Sequence, residues 1–355
     1  YAGMQFLMSP TLGNLSDRFG RRPVILISLG LYAFDQLLMA LAPTLAFLFV
    51  ARFLSGASAA TYATANAVIA DTTPRDKRAA KFGLLGAAFG LGFVFGPLIG
   101  GFLAEYGSRA PFYAASACTA IAFIVGFFLL PETLKPEDRR PFEWTRANPL
   151  GTLRQIRKLP SVSWFLVAYF CYQFGHLVYP SVFAYWAIER FAWTSSQIGL
   201  ALFVVGIGFA LVQGGLIRVF LKYFGEARTA FMGFTFNGIT LMLMLIVVDG
   251  WQIYLVIMMA ALGAIATPAL SGLMTRQVTE DAQGELQGAT AALSGISMML
   301  IPVTLPVIFY FFTSDQAPFY MPGAPFAVAG AVMLLALIPL SLGISRMRAA
   351  DAKAD

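Results

Sequence analysis

The chain has 355 residues, 58% of them hydrophobic and 12% charged, where an ordinary soluble domain holds about 45–50% and about 25%. The mean hydropathy of +0.73 is spread along the whole length in long apolar runs, which excludes a soluble globule, a disordered chain and a fibrous repeat. A net charge of +6 does not mark a nucleic-acid binder, because the basic residues lie between apolar runs and not on one face. Two cysteines, Cys118 and Cys171, inside apolar stretches, and a single histidine exclude a disulfide framework and a metal centre.

A helix needs roughly 20 apolar residues to cross a bilayer. Tyr1 to Leu12 is an apolar run too short to cross, read as the end of a helix that began earlier. Complete spans are then expected at about 23–42, 46–70, 81–104, 110–131, 161–188, 196–221, 228–248, 251–275, 284–312 and 323–345. Short cytoplasmic loops carry the excess of Lys and Arg. One set of alternate connections holds Arg18, Arg21 and Arg22, then Arg75, Lys77, Arg78 and Lys81, then Lys135, Arg139, Arg140, Arg146, Arg154, Arg157 and Lys158. It continues with Arg218, Lys222 and Arg228, then Arg276, then Arg346, Arg348 and Lys353; only Arg52, Arg109 and Arg190 fall elsewhere. The alternation predicts twelve helices in all, with helix 1 and part of helix 2 outside the chain.

A shift of 205 residues lays Phe19-Gly20 on Phe224-Gly225, Asp76 on Asp281, Gly83 on Gly288 and Pro97 on Pro302 without a gap. Such a repeat is the mark of a transporter built from two homologous bundles. The expected organisation is an N-terminal bundle over 1–131 (helices 2–6), a cytoplasmic linker over 132–160 rich in proline, and a C-terminal bundle over 161–355 (helices 7–12). A short amphipathic stretch is expected near Leu150–Lys158.

The stretch Gly13-Asn-Leu-Ser-Asp17-Arg18-Phe-Gly20-Arg21-Arg22-Pro23 resembles the signature loop between helices 2 and 3 of the major facilitator superfamily. Its glycines suit a tight turn, its aspartate a helix N-terminus, and its arginines an acid on a neighbouring helix end, for which Asp71 is the natural partner. Gly92-Phe-Val-Phe-Gly96-Pro97-Leu-Ile-Gly100-Gly101 continues a stripe of small residues, which lets helices approach closely in lipid, and is similar to the helix-5 motif of that superfamily's drug:proton antiporters. Arg52-Phe-Leu-Ser-Gly56, Ile69-Ala-Asp71-Thr-Thr73, Pro131-Glu132-Thr133, Arg190-Phe-Ala-Trp193, Pro268-Ala-Leu-Ser-Gly272 and Gln283-Gly-Glu-Leu-Gln287-Gly288 resemble, in order, the bacterial tetracycline:proton antiporters. The resemblance implies an all-α membrane protein of the major facilitator fold, two pseudo-symmetric six-helix bundles, proton-coupled efflux and a central cavity with alternating access. It implies transport roles for Asp35 and Arg52 and a cavity position for Gln213. It fails at two positions, where Phe209 replaces a helix-8 histidine and Asn237 a helix-9 aspartate.

Asp35, Arg52 and His176 are the readily ionisable side chains expected well inside the bilayer, where such groups pair or face water. Asp35 and Arg52 lie roughly 9–11 Å below the outer surface on consecutive helices, so they are expected to pair, and with His176 they form the proton-coupling set. The substrate cavity is assigned Tyr62, Tyr172, Gln173, Phe209, Gln213 and Asn237. The conformational switch is assigned Gly13, Asp17, Arg18, Gly20, Arg21, Asp71, Gly92, Gly96 and Pro97. The chain holds no phosphate-cradling Gly-x-x-x-x-Gly-Lys-Ser/Thr loop. The expectation is a monomeric, non-enzymatic exporter of amphipathic organic molecules, tetracycline-like or other antibiotics, in a bacterial inner membrane. Its partners are a small-molecule substrate, protons and the lipid bilayer, with no nucleic acid, no metal and no cofactor. The alternative is a proton-coupled importer or facilitator of a small organic solute on the same fold.

Overall fold

A computed structural model of the chain describes residues 1–58, 61–74, 78–142, 160–278 and 283–354. The helices are α1 Ala2–Phe19, α2 Arg21–Leu41, α3 Leu45–Ser58, α4 Thr61–Thr72, α5 Arg78–Ala104 and α6 Ala110–Leu129, then α7 Ser163–His176, α8 Val178–Phe191 and α9 Ser195–Leu211. They continue with α10 Ile217–Leu243, α11 Gly250–Leu262, α12 Ala266–Arg276, α13 Gln283–Thr313, α14 Ala324–Leu335 and α15 Leu337–Ala354. No strand occurs among the described residues. The chain divides into two compact units, Tyr1–Gly151 and Thr152–Asp355.

The apolar runs expected to span fall largely on helix among the described residues, and six helical stretches there are long and apolar enough to cross a membrane. Proline interrupts the regular helix of two expected spans. Pro180 has no N–H for the carbonyl of His176 and crowds it, so the expected 161–188 span divides into α7 and α8 at Leu177. In the same way Pro268 deprives the carbonyl of Ala264, and a 3-10 turn at Gly263–Ile265 separates α11 from α12. The amphipathic stretch expected near Leu150–Lys158 lies outside the described residues.

In the first unit α2 packs on α6. The Ser116 hydroxyl donates to the carbonyl of Ala33 at 2.8 Å, and Arg109 Nη2 donates to the carbonyl of Ala42 at 2.9 Å, satisfying a group that the end of α2 leaves orphaned. Helix α6 has no fully buried residue. Its Ile121, Ile124, Phe128 and Leu129 are exposed, which suits a lipid solvent and no other. The second unit is centred on Phe165, Phe183, Trp186, Phe234 and Phe326, all under 2% exposed. There α10 approaches α14 where Gly330 faces the carbonyl of Gly238, leaving 3.2 Å for an added Cβ.

The stripe on α5 behaves differently from expectation. Among the described residues, an added Cβ at Gly90, Gly92, Gly96 or Gly100 meets nothing within 4 Å, so no close helix contact is seen there at these glycines. Pro97 and Pro302, equivalent in the repeat, both lie inside long helices. Contacts join connections expected on the same side of the membrane: Arg140 N–H to the Asp17 carbonyl, Ser161 to the Gln277 carbonyl, and, on the opposite side, Tyr320 to Glu189.

Candidate functional site

The loop motif folds into a charge-bearing hinge. Gly20, between α1 and α2, has φ 105° and ψ 160°, a region open only to glycine. The turn carries Arg21 onto two acids: its Nη1 lies 2.5 Å from Asp17 Oδ1 and its Nε 3.0 Å from Asp71 Oδ2. Gly13 contributes a carbonyl that accepts from the Ser16 hydroxyl at 2.8 Å. Arg18 stays outside this network, 5.1 Å from the Phe19 ring. Asp17, Arg21 and Asp71, with Thr133, Lys135 and Arg140, line a polar cavity of about 650 Å³.

Glu132 is a site residue that sequence reasoning did not single out. Its carboxylate accepts from the backbone N–H groups of Arg21 at 2.9 Å and Arg22 at 3.2 Å, and from those of Thr133 and Leu134. A residue from beyond α6 therefore caps the start of α2. Partial burial pushes its pKa up, but these four N–H donors win and hold it below the usual carboxylate range. A side chain at Gly20 would collide with this carboxylate. The signal was the acid in Pro131-Glu132-Thr133, but no spacing rule links it to a turn more than a hundred residues earlier.

The second unit repeats the hinge with its charges reversed. Gly225, equivalent to Gly20, also has positive φ, 70° with ψ 171°. The next residue, Glu226, equivalent to Arg21, pairs through Oε1 with Arg276 Nη2 at 3.1 Å, and Arg276 is equivalent to Asp71. Acid and base have exchanged places while both positions and the ion pair persist.

Asp35 is 2% exposed and borders an apolar cavity of about 680 Å³ between α1, α2 and α3, walled by Leu12, Leu15, Ile27, Leu31, Phe34 and Leu54. Ser55 and Arg52 of α3 are the polar groups that act on its carboxylate. Arg52 does not form the expected ion pair. It is exposed, with its guanidinium 5.8 Å from the Tyr1 ring. Equal depth on neighbouring helices brought the two charges near but did not turn them toward each other.

In the second unit the His176 ring is sandwiched, 5.9 Å from Tyr172 at 10° and 5.7 Å from Phe209 at 25°. Tyr172 also lies 5.5 Å from Phe234 and faces Asn237 and Thr267. Asn237 is buried, and its Nδ2 donates to the carbonyl of Gly263 at 3.0 Å, at the start of the 3-10 turn that separates α11 from α12. Gln173 donates to Ser294 at 3.3 Å, and Tyr169 shares a 2.8 Å hydrogen bond with the same hydroxyl. Gln213 is exposed on a π-helical turn, Val212–Leu216, a distortion that helices often carry at functional positions. The side chain of Tyr62 lies outside the described residues.

Residues 1–302 match the family model of the Major Facilitator Superfamily. The chain belongs to this superfamily. It is 38% identical over 309 residues to the class C tetracycline resistance protein of Escherichia coli, covering 87% of this chain and 78% of that protein. It is 26% identical over 337 residues to the quinolone resistance protein NorA of Staphylococcus aureus, covering 94% and 84%. In fold it resembles the crystal structure of the human organic anion transporter MFSD10 (TETRAN), with a TM-score of 0.69 at 23% identity over 96% of this chain and 81% of that one.

This member of the superfamily is thus a multi-pass membrane transporter and not an enzyme. Within each unit its structure gathers residues that are far apart in sequence. Asp17, Arg21 and Asp71 meet in the first, and Tyr172, His176, Phe209 and Asn237 in the second. Gln213 and Arg18 stand apart from those clusters, and Gly92 and Gly96 face open space.

Proposed function

We propose that the protein exports amphipathic organic molecules, tetracycline-like or other antibiotics, from a bacterial cell in exchange for protons, as a monomer working by alternating access in the inner membrane. The observation that carries the reading is Asp35: a carboxyl group 2% exposed on the wall of an apolar cavity inside a membrane-spanning unit. A charge is expensive there, and such residues belong to proton and substrate pathways. Asp35 exchanges the proton, Arg52 answers its charge through space, and His176 is a second protonatable group. Tyr62, Tyr172, Gln173, Phe209, Gln213 and Asn237 form the substrate surface, whose stacked rings suit a flat, partly aromatic molecule. The turn at Gly13–Arg21 with Asp71, and the helix bearing Gly92, Gly96 and Pro97, are the moving parts. The bacterial-membrane assignment draws on the tetracycline resistance relatives.

The complete reading frame, expressed in an efflux-deficient bacterial host, is expected to raise the inhibitory concentration of at least one amphipathic antibiotic, tetracycline included in the panel. Dissipating the proton gradient should restore intracellular accumulation. A panel with no change, or a gradient that drives accumulation inward, points to an importer instead.

A further inference from the structure

Helix α10 beyond Gly225 and helix α15 border a further cavity, an open cleft of about 240 Å³, lined by Arg228 and Arg348 with Ser341, Ser345, Phe231 and Ile344. No acid lines it. Its neighbours on the same face are occupied: Arg276 pairs with Glu226 at 3.1 Å, Arg346 lies 5.2 Å from the Trp164 ring, and Lys222 lies 5.7 Å from that of Tyr223. Arg228 and Arg348 make no ion pair among the described residues. The Ser341 hydroxyl donates to the carbonyl of Ile338 at 2.8 Å, leaving its lone pairs free to accept and the guanidinium groups as the main donors. Two exposed guanidinium groups with no acidic partner among the described residues call for an anion with several oxygen acceptors, and guanidinium matches phosphate geometry.

Size and surroundings narrow the ligand. The cavity falls below the roughly 300 Å³ at which sites for drug-sized molecules begin, so it holds a headgroup and not the transported compound. One wall is apolar, Phe231 and Ile344, and continues onto exposed Ile338 and Leu342 along α15, where an acyl chain can lie. Both arginines belong to connections whose basic residues mark the cytoplasmic side, and basic pockets between helices at that level bind anionic headgroups. We propose that this cavity binds the phosphate of an anionic phospholipid, with the acyl chains along α15. This inference stands apart from the assignment of export.

The test is lipid retention by the complete, detergent-purified transporter, read by native mass spectrometry with phosphatidylglycerol and phosphatidylcholine as probes. The wild type is expected to retain phosphatidylglycerol selectively. Each surface basic residue contributes roughly a five-fold preference, so Arg228→Ala with Arg348→Ala should weaken retention by roughly thirty-fold. Ser345→Phe, which fills the cavity and leaves both charges, should also abolish selectivity, while Arg346→Ala should not. Undiminished retention in the double variant or in Ser345→Phe overturns the proposal, as does an equal loss in Arg346→Ala. Displacement of phosphatidylglycerol by millimolar inorganic phosphate would make this a soluble-anion site and overturn the lipid assignment.

Discussion

At the residue scale, the two chemical extremes are a carboxyl group in an apolar wall and an imidazole held between two rings. If Asp35 exchanges the proton, Asp35→Asn is expected to abolish proton-driven uptake into everted vesicles while sparing substrate counterflow, which needs no net proton movement. Retained proton-driven uptake would remove Asp35 from the coupling path. His176 sits where Pro180 ends α7 and strips its own carbonyl of an N–H partner, so its position is set by the proline as much as by its neighbours. Gly20 and Gly225 make a matched pair of a different kind. Replacing either by alanine introduces strain of about 1–3 kcal/mol, but only at Gly20 does the new Cβ meet another group, Glu132. Gly20→Ala is therefore expected to lower thermal stability in detergent further than Gly225→Ala, and equal losses would contradict the steric argument.

At the scale of elements, the two hinges give the duplication a measurable form. Arg21–Asp71 and Glu226–Arg276 occupy equivalent positions with opposite polarity, so each pair should tolerate exchange. Arg21→Asp with Asp71→Arg is expected to recover part of the stability that either single change loses, the rest being lost to the new carboxylate beside Asp17, as a double-mutant cycle will show. Glu226→Arg with Arg276→Glu should recover less, because Arg276 is 72% exposed and an exposed pair contributes only about 0.2–1 kcal/mol. Glu132 offers a pH handle on the same hinge. Its folded pKa is depressed, so its contribution is complete above the unfolded value of about 4.3 and disappears as pH falls through the folded value. Glu132→Gln is expected to unfold more readily than the wild type at pH 7, by about 1 kcal/mol, with the gap closing on acidification below about pH 4. A gap that persists in acid would show that the carboxylate charge is not what caps α2.

For the whole molecule, the exposed apolar surface and the alternating charge of the connections define an orientation. In a variant with Cys118 and Cys171 replaced by serine, cysteines introduced at Arg348 and at Tyr320 are expected to react with a membrane-impermeant maleimide from opposite faces, Tyr320→Cys in right-side-out vesicles and Arg348→Cys in inverted ones. Labelling of both from one face would break the topology at its root.

The helical, membrane-spanning character was legible because a bilayer imposes long apolar runs and sorts Lys and Arg by side, both of them local properties of a linear chain. The repeat was legible for a similar reason, since Gly20 and Gly225 must be glycine whatever surrounds them. What the sequence did not disclose depends on direction. Asp35 and Arg52 share a depth, yet one is enclosed and the other turned outward beside Tyr1. Gly92 and Gly96 form a stripe that meets no neighbour within 4 Å among the described residues. Glu132 caps a helix more than a hundred residues away, and the exchange of charge between Arg21–Asp71 and Glu226–Arg276 emerges only when the partners are seen together. Periodicity and composition fix which residues enter the membrane; which side chains face one another is decided by helix rotation and by the breaks at Pro180 and Pro268, and those are set by packing across the whole unit.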